Sequence, residues 1–238
     1  MIEIYPEILL AKVQKRKLLA LLLDPEKLVV SSVKKLFLKI NSTKITHIFI
    51  GGSTFNGDYL DELITAIKQH SKLPILLFPG DYKQISAEAD GILFLSLLSG
   101  RNSDYLIEHQ VNAIPFLQKT NLEVIPTAYL LIESGTETAV ERVSQTKPLD
   151  RTNIEYVCQT AKAGEFMGNK LVYLEAGSGA KNAVPLEMIN QVSNSIQLPL
   201  IVGGGIRSLA QIKHIFDAGA DMIVIGTAFE NNTDFFNL

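Results

Sequence analysis

Short apolar runs alternate with amphipathic helical patterns along almost the whole chain. Strands that alternate with helices are typical of a parallel sheet wrapped by helices. Eight apolar runs are predicted as β-strands, at Leu18–Leu23, Ile45–Ile50, Pro74–Phe78, Gly91–Leu95, Glu123–Thr127, Leu171–Leu174, Leu200–Val202 and Met222–Ile225. Eight repeats in 238 residues predict an α/β protein with one (β/α)8 barrel domain, a TIM barrel, over residues 1–238.

Three segments depart from the regular repeat. A helical pattern near Pro6–Val13 precedes the first strand, so we expect a leading N-terminal helix. The third connection, Pro79 to Asp90, is too short for a full helix, and the segment from Ile132 to Pro148 is polar and contains turn-forming residues. Both are predicted to be loops. The long loop after the fifth strand is expected over the face where barrels hold their active sites.

Composition and charge narrow the range of partners. Hydrophobic residues make up 47% of the chain, which is enough for a large core. The net charge of -3 argues against nucleic-acid binding, which normally shows a basic stripe. One cysteine, Cys158, excludes an internal disulfide, and no signal pattern or membrane-length apolar run is visible. These features predict a soluble, cytoplasmic protein.

One dense basic cluster stands near the N-terminus. A solvated helix end is the simpler interpretation, and peripheral docking to an anionic membrane is the minor alternative. The cluster consists of Lys12, Lys15, Arg16 and Lys17.

Two glycine loops follow the last two predicted strands. One is the run from Val202 to Ser208, with three consecutive glycines, and the other is Ile225-Gly226-Thr227-Ala228. Ser208 is the expected N-cap of a helix that ends before Gly219. Glycine exposes backbone N–H groups to an anion, and barrels commonly hold phosphate in these two loops. The pair predicts a phosphorylated ligand, although a tight turn alone also explains the first loop.

Candidate catalytic groups follow three other strands. Asp24, before Pro25, is interpreted either as a helix cap or as a site residue. Ser53 either caps the next helix or offers its hydroxyl to a metal. Glu175 ends strand six among small residues, where a carboxylate suits general-base chemistry on a hydroxyl. Tyr173 either positions that base or packs as an aromatic.

Hydrophobic character continues beyond strands four and five. An apolar groove and ordinary packing of a loop on the barrel explain this equally well, because periodicity does not separate a dry core from a lipid channel. The residues concerned are Leu97, Leu98, Tyr129, Leu130, Leu131 and Ile132. Arg207 and Lys181 are weaker candidates for binding phosphate, since Arg207 equally suits an ion pair with a helix acid.

Together, these motifs resemble those of geranylgeranylglyceryl phosphate synthases. The resemblance covers nearly the whole chain and departs from the family pattern at Lys181–Pro185, which is less rich in proline than expected. It rests on Leu21-Leu22-Leu23-Asp24-Pro25-Glu26-Lys27, Gly51-Gly52-Ser53, the motif from Tyr173 to Ala180, both glycine loops, Ser99-Gly100-Arg101-Asn102 and Pro126-Thr127-Ala128-Tyr129.

The resemblance implies an activity and a set of site residues. The activity is transfer of a polyprenyl group, most simply geranylgeranyl, from its diphosphate to the 3-hydroxyl of sn-glycerol 1-phosphate, with release of pyrophosphate. Asp24 and Ser53 would hold Mg2+, and Glu175 would be the base. The implied glycerol phosphate pocket consists of Tyr173, Leu174, Glu175, Ala176, Gly177, Ser178 and Gly179, with Gly203, Gly204, Gly226 and Thr227 on the phosphate.

The resemblance also implies a homo-oligomer. Three alternatives stay open on the sequence. They are the same reaction with a longer donor such as heptaprenyl diphosphate, a phosphosugar isomerase or thiamin phosphate synthase of the same fold, and a non-catalytic phosphate-binding barrel.

Overall fold

The apolar runs form β-strands, and parallel pairing joins them in sequence order into a closed ring. The computed structural model describes residues 3–52 and 59–236. Their strands are Leu18–Leu23 (β1), His47–Ile50 (β2), Ile75–Leu77 (β3), Gly91–Leu97 (β4), Glu123–Leu131 (β5), Leu171–Glu175 (β6), Leu200–Gly203 (β7) and Met222–Ile225 (β8). The ring closes where β8 pairs with β1, with Leu18 opposite Met222. The predicted (β/α)8 barrel is confirmed.

Helices occupy most of the connections. They are Ile4–Val13 (α1), Val33–Ile40 (α2), Leu60–His70 (α3), His109–Leu117 (α4), Ala139–Ser144 (α5), Ile154–Phe166 (α6), Leu186–Ser195 (α7), Leu209–Asp217 (α8) and Thr227–Asn231 (α9). The predicted cap of α8 is confirmed, because the Ser208 side chain accepts the Gln211 N–H at 3.2 Å. Within the two described ranges, no helix has the length and apolar character needed to cross a membrane.

Two apolar layers hold the barrel together. Successive side chains of a strand point to opposite faces, so each strand serves both layers. In β6, Leu171 and Tyr173 belong to the barrel interior, whereas Val172 and Leu174 pack in the outer layer between strands and helices. Strands buried on both faces read as continuous apolar runs, which is why they were predictable.

Helix α1 packs against the amino ends of the strands. Its buried residues Ile4 and Ile8 join the interior cluster. The Glu123 carboxylate, at the start of β5, accepts the N–H groups of Ile4 and Tyr5 and so satisfies donors that a helix start leaves open. The predicted leading helix therefore closes one end of the barrel.

The basic cluster also serves this closed end. Lys12 pairs with Asp221 at 2.8 Å, and Lys17 donates a hydrogen bond to the Ala220 carbonyl oxygen. Arg16 pairs with Glu7 at 2.6 Å. Lys12 thus holds α1 to the barrel beside β8, and Lys17 holds the start of β1 to the same place.

The two predicted loops have different outcomes. Residues 78–90, all of them described, contain no helix, as expected. The prediction for the segment from Ile132 to Pro148 is wrong in part, because it contains α5. A capping box starts this helix: the Thr138 hydroxyl accepts the Glu141 N–H at 3.3 Å, and the Glu141 carboxylate accepts the Thr138 N–H at 2.7 Å.

The contacts of Glu7 predict a pH-dependent stability. Its carboxylate lies 3.5 Å from His47 Nε2, and this contact, reinforced by Arg16, lowers the pKa of Glu7 from 4.5 to about 2. The carboxylate therefore stabilises the folded chain above pH 4.5, and the contribution is lost as pH falls toward 2. Since the side chain is one-third exposed, we expect Glu7→Gln to cost about 1 kcal/mol at pH 7.

Urea unfolding of both proteins between pH 7 and pH 3 checks this. The stability difference should narrow as the pH falls. A difference that stays constant over the range would contradict the assignment of the effect to Glu7.

Candidate functional site

The carboxyl ends of the strands surround a cavity of about 660 Å3. Of the residues predicted for the site, nine line it: Asp24, Tyr173, Glu175, Gly177, Ser178, Gly179, Gly204, Gly226 and Thr227. Ser53 lies outside the described residues. Side chains from β1 and β6 and both glycine loops therefore meet in one space, as barrel topology requires of residues that follow the strands.

Three predicted pocket residues do not line the cavity. Leu174 and Ala176 are buried in the outer apolar layer, because alternation along β6 turns them away from the interior. Gly203 lies beneath the site. A Cβ there would stand 2.5 Å from the Tyr173 hydroxyl and 2.8 Å from Glu175 Oε2, so this glycine makes room for those two side chains.

Glu175 is a buried carboxylate, with 6% of its surface exposed. Burial raises its pKa, and a hydrogen bond from the Gly177 N–H to Oε1 at 2.6 Å acts in the opposite direction. Gly204 passes directly beside Oε1 with φ +83°, a conformation that favours glycine. The base predicted from the sequence thus lies in a tight, backbone-lined recess.

Tyr173 is surrounded by aromatic rings. It stacks on Phe78 with ring centroids 5.4 Å apart and meets Tyr129 edge-on at 5.3 Å. Its buried hydroxyl lies next to the Glu175 carboxylate and has no other hydrogen-bond partner among the described residues. Burial and the neighbouring carboxylate raise the pKa of Tyr173 well above 10. The hydroxyl is therefore a neutral donor at the base, while the ring packs as an aromatic.

Asp24 lies in a small charged group at the rim, formed by the turn after β1 and by α9 after β8. Its Oδ1 accepts the Glu26 N–H at 3.1 Å, so the capping role is observed. Its Oδ2 lies 3.4 Å from Lys27 Nζ, and Lys27 in turn pairs with Glu230 at 2.8 Å. A Cβ at Gly52 would stand 2.9 Å from Oδ1, so glycine at this position leaves the carboxylate free of that contact.

A magnesium ion fits Asp24 as an ion whose ligands come partly from the protein and partly from a substrate phosphate. The described ranges contain no cluster of three or more acidic, histidine or cysteine side chains that could hold a metal. Mg2+ commonly takes only one or two carboxylates and completes its shell with water and substrate phosphate. Asp24, partly buried and facing the cavity, supplies such a carboxylate.

Hydrogen bonds join the segments that follow β6, β7 and β8. Ser178 Oγ lies 3.2 Å from Thr227 Oγ1, which links the motif after β6 to the loop after β8. Arg207 donates hydrogen bonds to the carbonyl oxygens of Ala180 and Lys181, and thereby fastens the β7 loop to the same motif. Arg207 lines the cavity, but its guanidinium binds backbone and not a helix acid; Lys181 does not line it.

An apolar arm of the cavity extends toward α4. Of the six residues predicted for a groove, Leu97 and Tyr129 line it, whereas the others are buried in the two core layers. Its remaining apolar wall comes from residues that the sequence did not single out: Phe78, Tyr82, Ile85, Phe94, Tyr105, Ala113, Val140 and Val143. Phe78 directly follows β3, so the rule of examining residues at strand ends would have found it.

Comparison with known proteins finds relatives over nearly the whole chain. Residues 11–237 match the PcrB family. The chain is 58% identical over 234 residues to geranylgeranylglyceryl phosphate synthase of Flavobacterium johnsoniae, covering 98% of this chain and 96% of that one. The protein of the same name from Zunongwangia profunda is 50% identical over 216 residues, covering 91% and 92%.

A solved structure has the same architecture. It is (S)-3-O-geranylgeranylglyceryl phosphate synthase from Thermoplasma acidophilum in complex with sn-glycerol-1-phosphate, with a TM-score of 0.93 and 33% identity, covering 100% of this chain and 95% of that one. The fold, the convergent site and these likenesses lead to one conclusion: the chain belongs to the geranylgeranylglyceryl phosphate synthase (PcrB) family.

Proposed function

We propose that this chain transfers a geranylgeranyl group from its diphosphate to the 3-hydroxyl of sn-glycerol 1-phosphate and releases pyrophosphate. The observation that carries the proposal is the convergence of Glu175, Asp24 and both glycine loops on one cavity. The names of the relatives, and the glycerol phosphate bound by the Thermoplasma acidophilum protein, support the same reaction.

The glycine loops and the motif after β6 would hold the glycerol phosphate. Gly204 and Gly226 expose their backbone to the cavity because they have no side chains. The hydroxyls of Ser178 and Thr227, which are in contact with each other, line the same cavity. Backbone N–H and hydroxyl groups are the usual partners of phosphate oxygens at this end of a barrel. The alcohol end of the same small molecule then lies toward Glu175.

Glu175 would act as the general base. A carboxylate is an ordinary weak base in water, and burial strengthens it by raising its pKa toward the working pH. As the new carbon–oxygen bond forms, the 3-hydroxyl proton passes to Glu175 Oε2, the oxygen beside the Tyr173 hydroxyl. Tyr173 would keep that carboxylate oriented through its otherwise unpartnered O–H.

Asp24, with Ser53, would hold Mg2+ at the diphosphate end of the prenyl donor. Bound there, the ion would neutralise charge on the departing pyrophosphate. The apolar arm between the loop after β3 and α4 would take the hydrocarbon chain, since its aromatic and aliphatic walls exclude water. Homo-oligomerisation and a cytoplasmic location stay predictions of the sequence.

Purified protein with Mg2+, a series of prenyl diphosphates and either enantiomer of glycerol phosphate tests the reaction. Pyrophosphate release and product mass are measured together. We expect the highest kcat/KM with geranylgeranyl diphosphate and sn-glycerol 1-phosphate. A preference for heptaprenyl diphosphate would contradict the proposed donor, and glycerol phosphate binding without pyrophosphate release would contradict the enzyme.

Glu175→Gln should reduce kcat by about two to four orders of magnitude, because the amide accepts no proton. Glycerol phosphate affinity should stay within about threefold, since the variant keeps the shape of the recess. Because the pKa of Glu175 is raised above 4.5, wild-type activity should decrease as the pH is lowered, and this decrease should begin above pH 4.5. The residual activity of the variant should lack that acid limb.

The exposed Glu187→Gln in α7 serves as the matched control and should behave as wild type. Calorimetry with sn-glycerol 1-phosphate separates binding from turnover. A near-normal rate for Glu175→Gln would remove Glu175 from the base role.

Asp24→Asn separates the cap from the metal site. Asparagine caps as well as aspartate, so the melting temperature should stay close to that of wild type. The half-saturating Mg2+ concentration should rise about tenfold or more, because one charged ligand is lost. Thermal-shift titrations with Mg2+ and pyrophosphate give a readout that needs no turnover.

Asp150→Asn is the control, because Asp150 accepts the Thr152 N–H at 2.8 Å in a comparable turn and does not line the cavity. If Asp24→Asn destabilises the chain but leaves its Mg2+ dependence unchanged, Asp24 only caps.

A further inference from the structure

Lys27 is a cation at the rim whose role the proposed reaction does not assign. It ends the short 3-10 turn Pro25–Lys27 after β1 and lines the cavity. Its Nζ lies 2.8 Å from Glu230 Oε2 and 3.4 Å from Asp24 Oδ2. The lysine side chain is 55% exposed, whereas the two carboxylates are about one-fifth exposed, so the ammonium group faces both the carboxylates and the open cavity.

The other lysine and arginine side chains of the cavity, within the described ranges, are placed differently. Arg207 is occupied by the backbone carbonyl oxygens of Ala180 and Lys181. Arg142 lies 3.9 Å from exposed Glu137 at the α5 side of the rim. Of these three cations, Lys27 is the one in contact with the carboxylate proposed to hold the metal.

The ion pair between Lys27 and Asp24 would be unfavourable if Asp24 also held a metal ion. A divalent cation on Asp24 repels an ammonium group 3.4 Å from the same carboxylate. A prenyl diphosphate brings several negative charges to that position. A lysine ammonium carries three donors on a flexible stem and binds phosphate as a point charge. Lys27 can therefore exchange a carboxylate oxygen for a phosphate oxygen without leaving the rim.

We propose that Lys27 is a diphosphate-binding residue: it pairs with Asp24 and Glu230 in the free chain and moves its contact from Asp24 to the diphosphate oxygens when the donor binds. Glu230, on α9, then serves only to keep the ammonium group near the rim. This inference rests on the proposed function for the identity of the anion. It adds to that function a protein cation that binds the departing pyrophosphate.

Binding of inorganic pyrophosphate in the presence of Mg2+, measured by calorimetry, tests the role without turnover. Lys27→Gln should weaken pyrophosphate binding about tenfold or more and raise the KM for the prenyl donor similarly. The affinity for sn-glycerol 1-phosphate should stay within twofold. Lys27→Arg, which keeps the charge, should restore most of the lost affinity.

Two further variants separate ligand binding from a structural ion pair. Lys39→Gln removes a similar pair, with Asp234 at 2.8 Å, away from the cavity, and should leave pyrophosphate binding unchanged. Glu230→Gln breaks the Lys27 pair but keeps the cation, so it should weaken pyrophosphate binding less than threefold. If Glu230→Gln reproduces the full loss, or if Lys27→Gln binds pyrophosphate as wild type does, Lys27 only fastens α9.

The outcome for wild type separates this inference from the proposed function. Wild type that binds pyrophosphate but transfers no prenyl group contradicts the function, and the comparison of Lys27 variants still decides the role of the lysine. Wild type that binds no pyrophosphate with Mg2+ overturns the Lys27 proposal directly.

Discussion

Burial of the Glu175 carboxylate sets the conditions for the rest of the rim. A buried carboxylate is costly unless it is hydrogen-bonded, and the Gly177 N–H provides that bond at 2.6 Å. The neighbouring strand must also pass close by without side chains. Gly203 and Gly204 meet this requirement, since a Cβ at either position would collide with the carboxylate or with the Tyr173 hydroxyl. The glycines at the end of β7 are thus explained first by the space that the Glu175 and Tyr173 side chains occupy.

This requirement links the base to the phosphate site. Because Gly204 must adopt φ +83° beside Glu175, the chain turns there and brings the loop after β7 to the cavity. The residues that shelter Glu175 and the residues of the loop after β7 that line the cavity are consecutive. In the proposed reaction, this arrangement would let one small molecule contact both Glu175 and that loop.

The apolar arm of the cavity is lined in part by the connection between β3 and β4, which lacks a helix. Residues 78–90 contain no helix, so a loop makes the whole connection from β3 to β4. The loop there instead places Tyr82 and Ile85 against the cavity, opposite Ala113 of α4. Helix α1 closes the amino end, whereas the apolar arm belongs to the cavity at the carboxyl ends of the strands. A long apolar ligand with a charged head fits a cavity that has one charged rim and one apolar arm.

Sequence patterns predicted the elements that repeat along the chain and the features that depend on neighbouring residues. The strands were visible because they are buried on both faces, and Asp24 and Glu175 were found because catalytic groups of barrels follow the strands. Helix α5 was missed, since a short polar helix depends on its capping box more than on periodicity. The contact of Lys27 with Glu230 joins residues far apart in the chain, and no local pattern indicates such a pair.

The two interpretations of Asp24 are compatible in the structure. A carboxylate has two oxygens, and the backbone N–H of Glu26 occupies Oδ1 while Oδ2 faces Lys27. The cap fixes the rotation of the carboxylate, and at this rotation Oδ2 lies on the side of Lys27. The capping hydrogen bond would therefore also serve the proposed metal site, because a carboxylate that is already oriented loses less conformational freedom when it binds an ion.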